Sequence, residues 1–155
     1  MEVGNIKAVL VVDIQKEYMK QYDENLLTAI NYRIREAVMK NELVVYIKNV
    51  RCLKRGKVIN EFADGLDVCT SHVFYKEKAS VFSDEQLLTM LRKNKVSEIE
   101  VIGIDGCCCV ARSAMDAQAL GFKVSMPCSY IGVKNQERFE KKKMLLRKQG
   151  ICISE

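Results

Sequence analysis

"SEIEVIGIDGCCCVARSAMDAQALGFKVSMP", residues 97–127, decides how this chain is built. Ser97–Gly103 is a short apolar run with the length and composition of a strand. A helix from about Cys107 to Leu120 follows and stops at Gly121, which suits the left-handed position after a helix end. Phe122–Met126 is a second strand, closed by Pro127, the single proline. Strand, helix, strand within about thirty residues is a βαβ unit, and a crossover of that kind makes the two strands parallel.

Outward from this unit the alternation continues. Lys7–Asp13 is a continuous apolar run ending in an acid, Glu42–Lys48 is another, and Ser71–Lys76 a third. Runs without polar alternation suit strands covered on both faces, as in a parallel sheet. Leu26, Ile30, Ile34 and Val38 mark one face of a helix, and residues 49–70 read as irregular, broken by Gly56 and Gly65. Ser83 and Gln86 fit a cap and capping box ahead of Leu87, Leu88 and Leu91. Asn135–Gln149 reads as a charged helix and Ile151–Ser154 as a short last strand. The pattern predicts an α/β fold: three layers, α/β/α, around a six-stranded, mostly parallel, Rossmann-like sheet. The 155 residues carry no repeat or linker and fit one domain over 1–155.

Composition bounds the function. The chain is 48% apolar and 29% charged, with a net charge of +5. No apolar run approaches the ~20 residues of a membrane span, so no membrane partner is expected. The apolar run at 8–12 leads straight into Asp13, unlike a signal peptide, which predicts a cytoplasmic protein. Seven cysteines and one histidine form no CxxC pair and no zinc spacing, so reduced thiols are expected. Cys52, Cys69, Cys128 and Cys152 read as small buried hydrophobes. The basic clusters Arg51–Lys57 and Lys141–Lys143 lack interleaved aromatics, which argues against nucleic acid. The second cluster reads as a solvated helix face.

In an open parallel sheet, ligands bind beyond the carboxyl ends of the strands, where strand order reverses. Asp13 ends the first strand, Lys76 ends the third, and Cys107–Cys109 follow the fourth. Taken singly, each has a structural reading: an acid capping a helix, a surface lysine, a packed cysteine. Their arrival at one edge points to thiol chemistry. A helix N-terminus and a nearby ammonium favour a thiolate, whereas Asp13 opposes one and is better cast as the proton acceptor. Backbone N–H groups opening the helix can hold an oxyanion. A phosphatase loop needs C-x5-R, but Cys107 to Arg112 is C-x4-R; a triad with histidine would need His72, which stands near the start of a strand and reads as structural.

Three segments resemble the isochorismatase-like cysteine hydrolases, a family that includes small-amide hydrolases. "AVLVVDIQKEYM" (8–19) resembles an apolar strand followed by D-x-Q and an aromatic, falling on Asp13, Gln15 and Tyr18. "FYKEKASVF" (74–82) resembles K-x-x-x-S-A-F and selects Lys76. "GIDGCCCVARSAMDAQALGFKV" (103–124) resembles the nucleophile segment and selects Cys109.

The resemblance implies a sheet ordered 3-2-1-4-5-6, an Asp13–Lys76–Cys109 triad, and hydrolysis of a small-molecule amide or related C–N bond through a Cys109 acyl-enzyme. It implies an oxyanion hole from the N–H groups of Asp105 and Cys109, after a non-proline cis peptide at Ile104–Asp105. Substrate contacts fall to Gln15, Tyr18 and Asp105, the last recognising a cationic or amide-bearing substrate or else repelling the oxyanion. Metal-using relatives carry D-x-H…H after the second strand. "KNVRCLKRGKVINEF" (48–62) has neither histidine nor aspartate, so no metal and no cofactor are expected. Homo-oligomers are common in the family, and the short loops invite a second copy to complete the pocket. Cys108 is expected to pack inward and Cys107 to be peripheral. The alternatives are a thiol-based redox sensor and a decayed binding member of the same fold.

Overall fold

The computed structural model describes residues 5–50, 53–54, 57–58 and 61–155. The chain runs β1 (Ile6–Val12), α1 (Lys16–Met19), α2 (Asn25–Met39), β2 (Leu43–Asn49), β3 (Leu53–Lys54), β4 (Lys57–Val58) and β5 (Val73–Lys76). It continues through α3 (Glu85–Lys93), β6 (Val96–Ile104), α4 (Cys109–Ala119), β7 (Lys123–Pro127), β8 (Ile131–Gly132), α5 (Gln136–Lys148) and β9 (Cys152–Ser154). The sheet order is β5-β2-β1-β6-β7-β9, with β8 joining the end of β6. These pairings are all parallel. The six anticipated strands take the anticipated order 3-2-1-4-5-6. The short β8 is an addition, and β3–β4 forms a separate antiparallel pair.

The sheet is apolar on both faces because both are covered. Ala8, Leu10 and Val12 of β1 join the cluster packed with α3, α4 and α5; Val9 and Val11 join the one packed with α2. On α2 the buried set is Leu26, Ile30, Arg33, Ile34 and Ala37, while Val38 is exposed. A spacing of four drifts off a 3.6-residue period, so by the fourth turn Ala37 has taken the inward place.

Several finer expectations shift. Asp84, not Ser83, caps α3: its side chain accepts from the Gln86 N–H, and Ser83 ends a preceding 3-10 turn. Pro127 lies inside β7 as its last residue, paired opposite Ser154. Cys69 and Cys152 are exposed, so small-hydrophobe packing does not explain them, whereas Cys128 is half-buried and packs against the core. Cys52 and the side chains of the Arg51–Lys57 cluster lie outside the described residues. Lys143 is buried rather than solvated, with Nζ 2.9 Å from Glu140 and 2.7 Å from Glu155. No helix among the described residues is long and apolar enough to cross a membrane.

Strand order reverses at β1, whose neighbours are β2 on one side and β6 on the other. The two central strands come very close there. Gly103 has φ +116°, and a Cβ on it would collide with the Val12 carbonyl oxygen. Only glycine lets β6 lie this near the end of β1.

Candidate active site

The site begins where β1 stops. Asp13 takes a left-handed backbone conformation, φ 57°, which aspartate tolerates better than most residues. Its N–H donates to Ile47 O at 3.0 Å, which holds the turn against β2. Two strands away, β5 delivers Lys76. Both side chains are almost fully buried, Asp13 at 4% exposure and Lys76 at 2%. Lys76 Nζ lies 3.1 Å from Asp13 Oδ2 and donates to Lys78 O at 3.0 Å and to Cys109 Sγ at 3.4 Å.

Cys109 is the first residue of α4. Its carbonyl accepts from Ser113 Oγ at 2.6 Å, and Ser113 Oγ in turn accepts from the Val81 N–H at 3.1 Å. Helix α4 is thereby tied to the turn that follows Lys76. The thiol is raised from its ordinary 9.0 to about 11. Burial is the largest cause, followed by the Asp13 charge; Lys76 pulls the other way, and a hydrogen bond to Asp13 adds to the rise. The expected help from the ammonium is present but outweighed. Burial and the Asp13 charge favour the protonated thiol, which is hydrogen-bonded to that carboxylate.

The peptide between Ile104 and Asp105 is cis. The loop it opens satisfies most of its own N–H groups. Gly106 N–H donates to Gly132 O, Cys107 N–H to Asp105 Oδ1, and both Cys108 and Val110 N–H to Asp105 O. Among the described residues, the N–H groups of Asp105 and Cys109 meet no protein acceptor. A cleft of about 190 Å³ opens here, with Asp13, Tyr18, Asn49, Asp105 and Cys109 in its wall. A larger cleft of about 470 Å³ lies beyond Tyr22, bordered by α2 and α5. It reaches none of Asp13, Lys76 and Cys109, so chemistry rather than size selects the smaller one.

The structure gives the three neighbouring cysteines different fates from those expected. Cys107 is buried, with its thiol 3.8 Å from Asn135 O, while Cys108 is exposed at the cleft wall. Both precede the helix, so helical spacing does not govern them. The Asp105 side chain draws Cys107 inward, and the backbone of Cys108 turns its side chain outward. Gln15 also departs from expectation. It is fully buried and clipped to β2, donating to Asn49 O at 3.0 Å and accepting from Asn49 N–H at 2.7 Å, and it does not line the cleft. Its place is behind the wall, holding Asn49 in it. Tyr18 does line the cleft.

The Asp105 carboxylate is a clamp. Oδ2 accepts from Tyr22 O–H at 2.9 Å and Lys134 N–H at 3.0 Å, and Oδ1 accepts from Cys107 N–H at 2.8 Å. Burial and the Asp105 charge push the Tyr22 phenol far up, so it stays a donor. Tyr22, Asn49, Ser113 and Lys134 were not singled out from sequence. Ser113 alone had a signal there, four residues after Cys109 on one helix face.

Residues 7–148 match the Isochorismatase domain, and the chain belongs to the isochorismatase family of hydrolases. Among solved structures it is similar to the zinc-bound pyrazinamidase of Pyrococcus horikoshii: 22% identity, TM-score 0.82, covering 96% of this chain and 98% of that one. The nicotinamidase of Staphylococcus aureus gives 20% identity and TM-score 0.84 over 96% and 97% of the two chains. The N-carbamoylsarcosine amidase of Thermoplasma acidophilum gives 17% and 0.82 over 96% and 95%. At these identities the likeness is one of fold. No curated protein matches the chain in sequence.

The zinc of the archaeal neighbour invites a fit test. Among the described residues no three histidine, cysteine, aspartate or glutamate side chains gather to hold a metal ion. The sole histidine, His72, precedes β5, at the opposite end of the strand from Lys76. This donor set does not fit a resident zinc.

Proposed function

We propose that the protein is a metal-independent cysteine hydrolase cleaving a small-molecule amide or related C–N bond. One observation carries this reading: Lys76 Nζ stands 3.1 Å from Asp13 and 3.4 Å from the Cys109 thiol, beside two unclaimed N–H groups. Sγ attacks the carbonyl carbon as its proton passes to Asp13. The Asp105 and Cys109 N–H groups hold the oxyanion, and Lys76 balances the negative charge as it moves between carboxylate and sulfur. The tetrahedral species collapses, the C–N bond breaks, and the leaving nitrogen takes the proton from Asp13. Water then attacks the thioester, gives its proton to Asp13, and the acid leaves as the thiol is reprotonated.

A redox-sensing thiol is the weaker reading. Such thiols are accessible and poised at low pKa, whereas burial and Asp13 push Cys109 up to about 11. A homo-oligomer belongs to the proposal too, supported by Tyr32 and Met39, exposed one heptad apart on α2; sedimentation equilibrium checks it. The test of the activity is ammonia or amine release from a broad panel of small amides. Turnover by wild type that vanishes in Cys109→Ala, with a trapped thioester on the Cys109 peptide, supports it. A silent panel, or turnover surviving Cys109→Ala, overturns it.

A further inference from the structure

Asp13, Asp105 and Lys134 line the cleft with Lys76 paired to Asp13, and three of these four charges are already engaged. Asp13 and Lys76 pair with each other at 3.1 Å. Asp105 accepts from Tyr22, Lys134 N–H and Cys107, so its carboxylate is turned into the loop that it braces. The fourth is the Lys134 ammonium. It lines the cleft, stands 5.7 Å from the centre of the Tyr22 ring, and among the described residues pairs with no carboxylate. Its backbone is fixed by the bond to Asp105, so the side chain starts from a set point at the cleft wall.

We infer that Lys134 selects substrates carrying a carboxylate beside the amide, so the enzyme acts on small anionic amides. The inference rests on the amide-hydrolase reading and names the substrate class of that site. The ammonium held over the Tyr22 ring offers its open side as a seat for a compact anion, and the cleft of about 190 Å³ is too small for a large ligand. The Tyr22 face attracts the ammonium itself, holding it over the cleft rather than out in solvent. The Asp105 carboxylate already holds three donors within the loop, so the inference assigns recognition to Lys134 instead.

The experiment compares malonamate, succinamate and glutaramate with their neutral isosteres malonamide, succinamide and glutaramide. Wild type is expected to prefer at least one monocarboxylate over its diamide. Lys134→Met is expected to raise KM for that anion about tenfold to a hundredfold, the usual range for losing a charge-assisted hydrogen bond. The loss should fall on KM rather than on kcat and on the anion far more than on its diamide, and Lys134→Arg should restore the preference. Diamides turned over as well as or better than every anion, or an anion preference that Lys134→Met does not touch, overturn the inference while leaving amide hydrolysis standing. If no amide is turned over, the hydrolase reading fails, and anion binding is read, in a Cys108→Ser background, from succinate protection of the Cys109 peptide against iodoacetamide. Protection lost in Lys134→Met upholds the anion seat; no protection overturns it.

Discussion

Two buried charge clusters sit on the same sheet, and they are built to opposite ends. In one, Arg33 of α2 meets Glu100 of β6 through Nε at 2.7 Å and Nη2 at 3.2 Å, and Glu42 at 2.7 Å. Lys7 closes the far side of Glu100 at 3.0 Å. Burial alone would lower Arg33, but the bonds from Glu100 and Glu42 outweigh it and raise it. The cluster is buried, and the remaining Arg33 Nη1 lies 3.4 Å from Glu36. In the other, Lys76 holds Asp13 while also facing a thiol that opens on a cleft. A closed set of charges fixes α2 on the sheet; an open one leaves a proton to be moved. Paired buried charge is therefore not in itself a sign of function. What separates the clusters is whether one member faces space that a substrate can enter.

The strongest way to break this comparison is to remove one cation from each. Arg33→Met and Lys76→Met should each cost about 3–5 kcal/mol in urea unfolding, since each strands a buried carboxylate. They should part on chemistry. Lys76→Met is expected to abolish turnover. Folded Arg33→Met should keep the wild-type alkylation profile of Cys109, and a shifted profile would show the two clusters to be coupled.

A second test uses pH. With the thiol up at about 11, site-resolved alkylation of wild-type Cys109 should climb with pH to beyond 10. Asp13→Asn removes the negative charge that opposes the thiolate and leaves Lys76, so the thiol titrates lower. Each unit of fall gives about tenfold more thiolate near pH 8. The expected result is a faster-labelling Cys109 in an enzyme that turns over less. A slower label would mean that Asp13 activates the resting thiol instead of waiting for its proton.

Smaller effects sharpen the picture. Ser113→Ala loses the link from Cys109 O to the Val81 N–H and should cost about 1–2 kcal/mol by thermal melt. Tyr22→Phe removes one of three donors from Asp105 and should cost about 1 kcal/mol or less, with the catalytic rate changed only a few-fold.

Asp13, Lys76 and the run Cys107–Cys109 are legible in the sequence because each stands at the end of a strand or the start of a helix, and the family resemblance selects Cys109 from the run. Once the strands are parallel, those ends share one edge. The sequence does not reveal Tyr22, Asn49 or Lys134, which reach the cleft from loops and strand ends with no periodic pattern to read. The order of the three cysteines was misread for a related reason. Helical geometry was extended to residues 107 and 108, but α4 begins only at Cys109, and a side-chain acceptor on Asp105 sets the loop before it. Gln15 shows the converse: its position in the motif was clear, but its burial against Asn49 depends on how β1 and β2 lie together.

Cys108 stands exposed in the same wall as the half-buried Cys109. A thiol-directed reagent diffusing in therefore meets the bystander first, and an adduct on Cys108 would plug the entrance without touching the attacking sulfur. Inhibition by maleimides or iodoacetamide is thus ambiguous in the native chain. A Cys108→Ser background is the one in which covalent inhibitors report on Cys109.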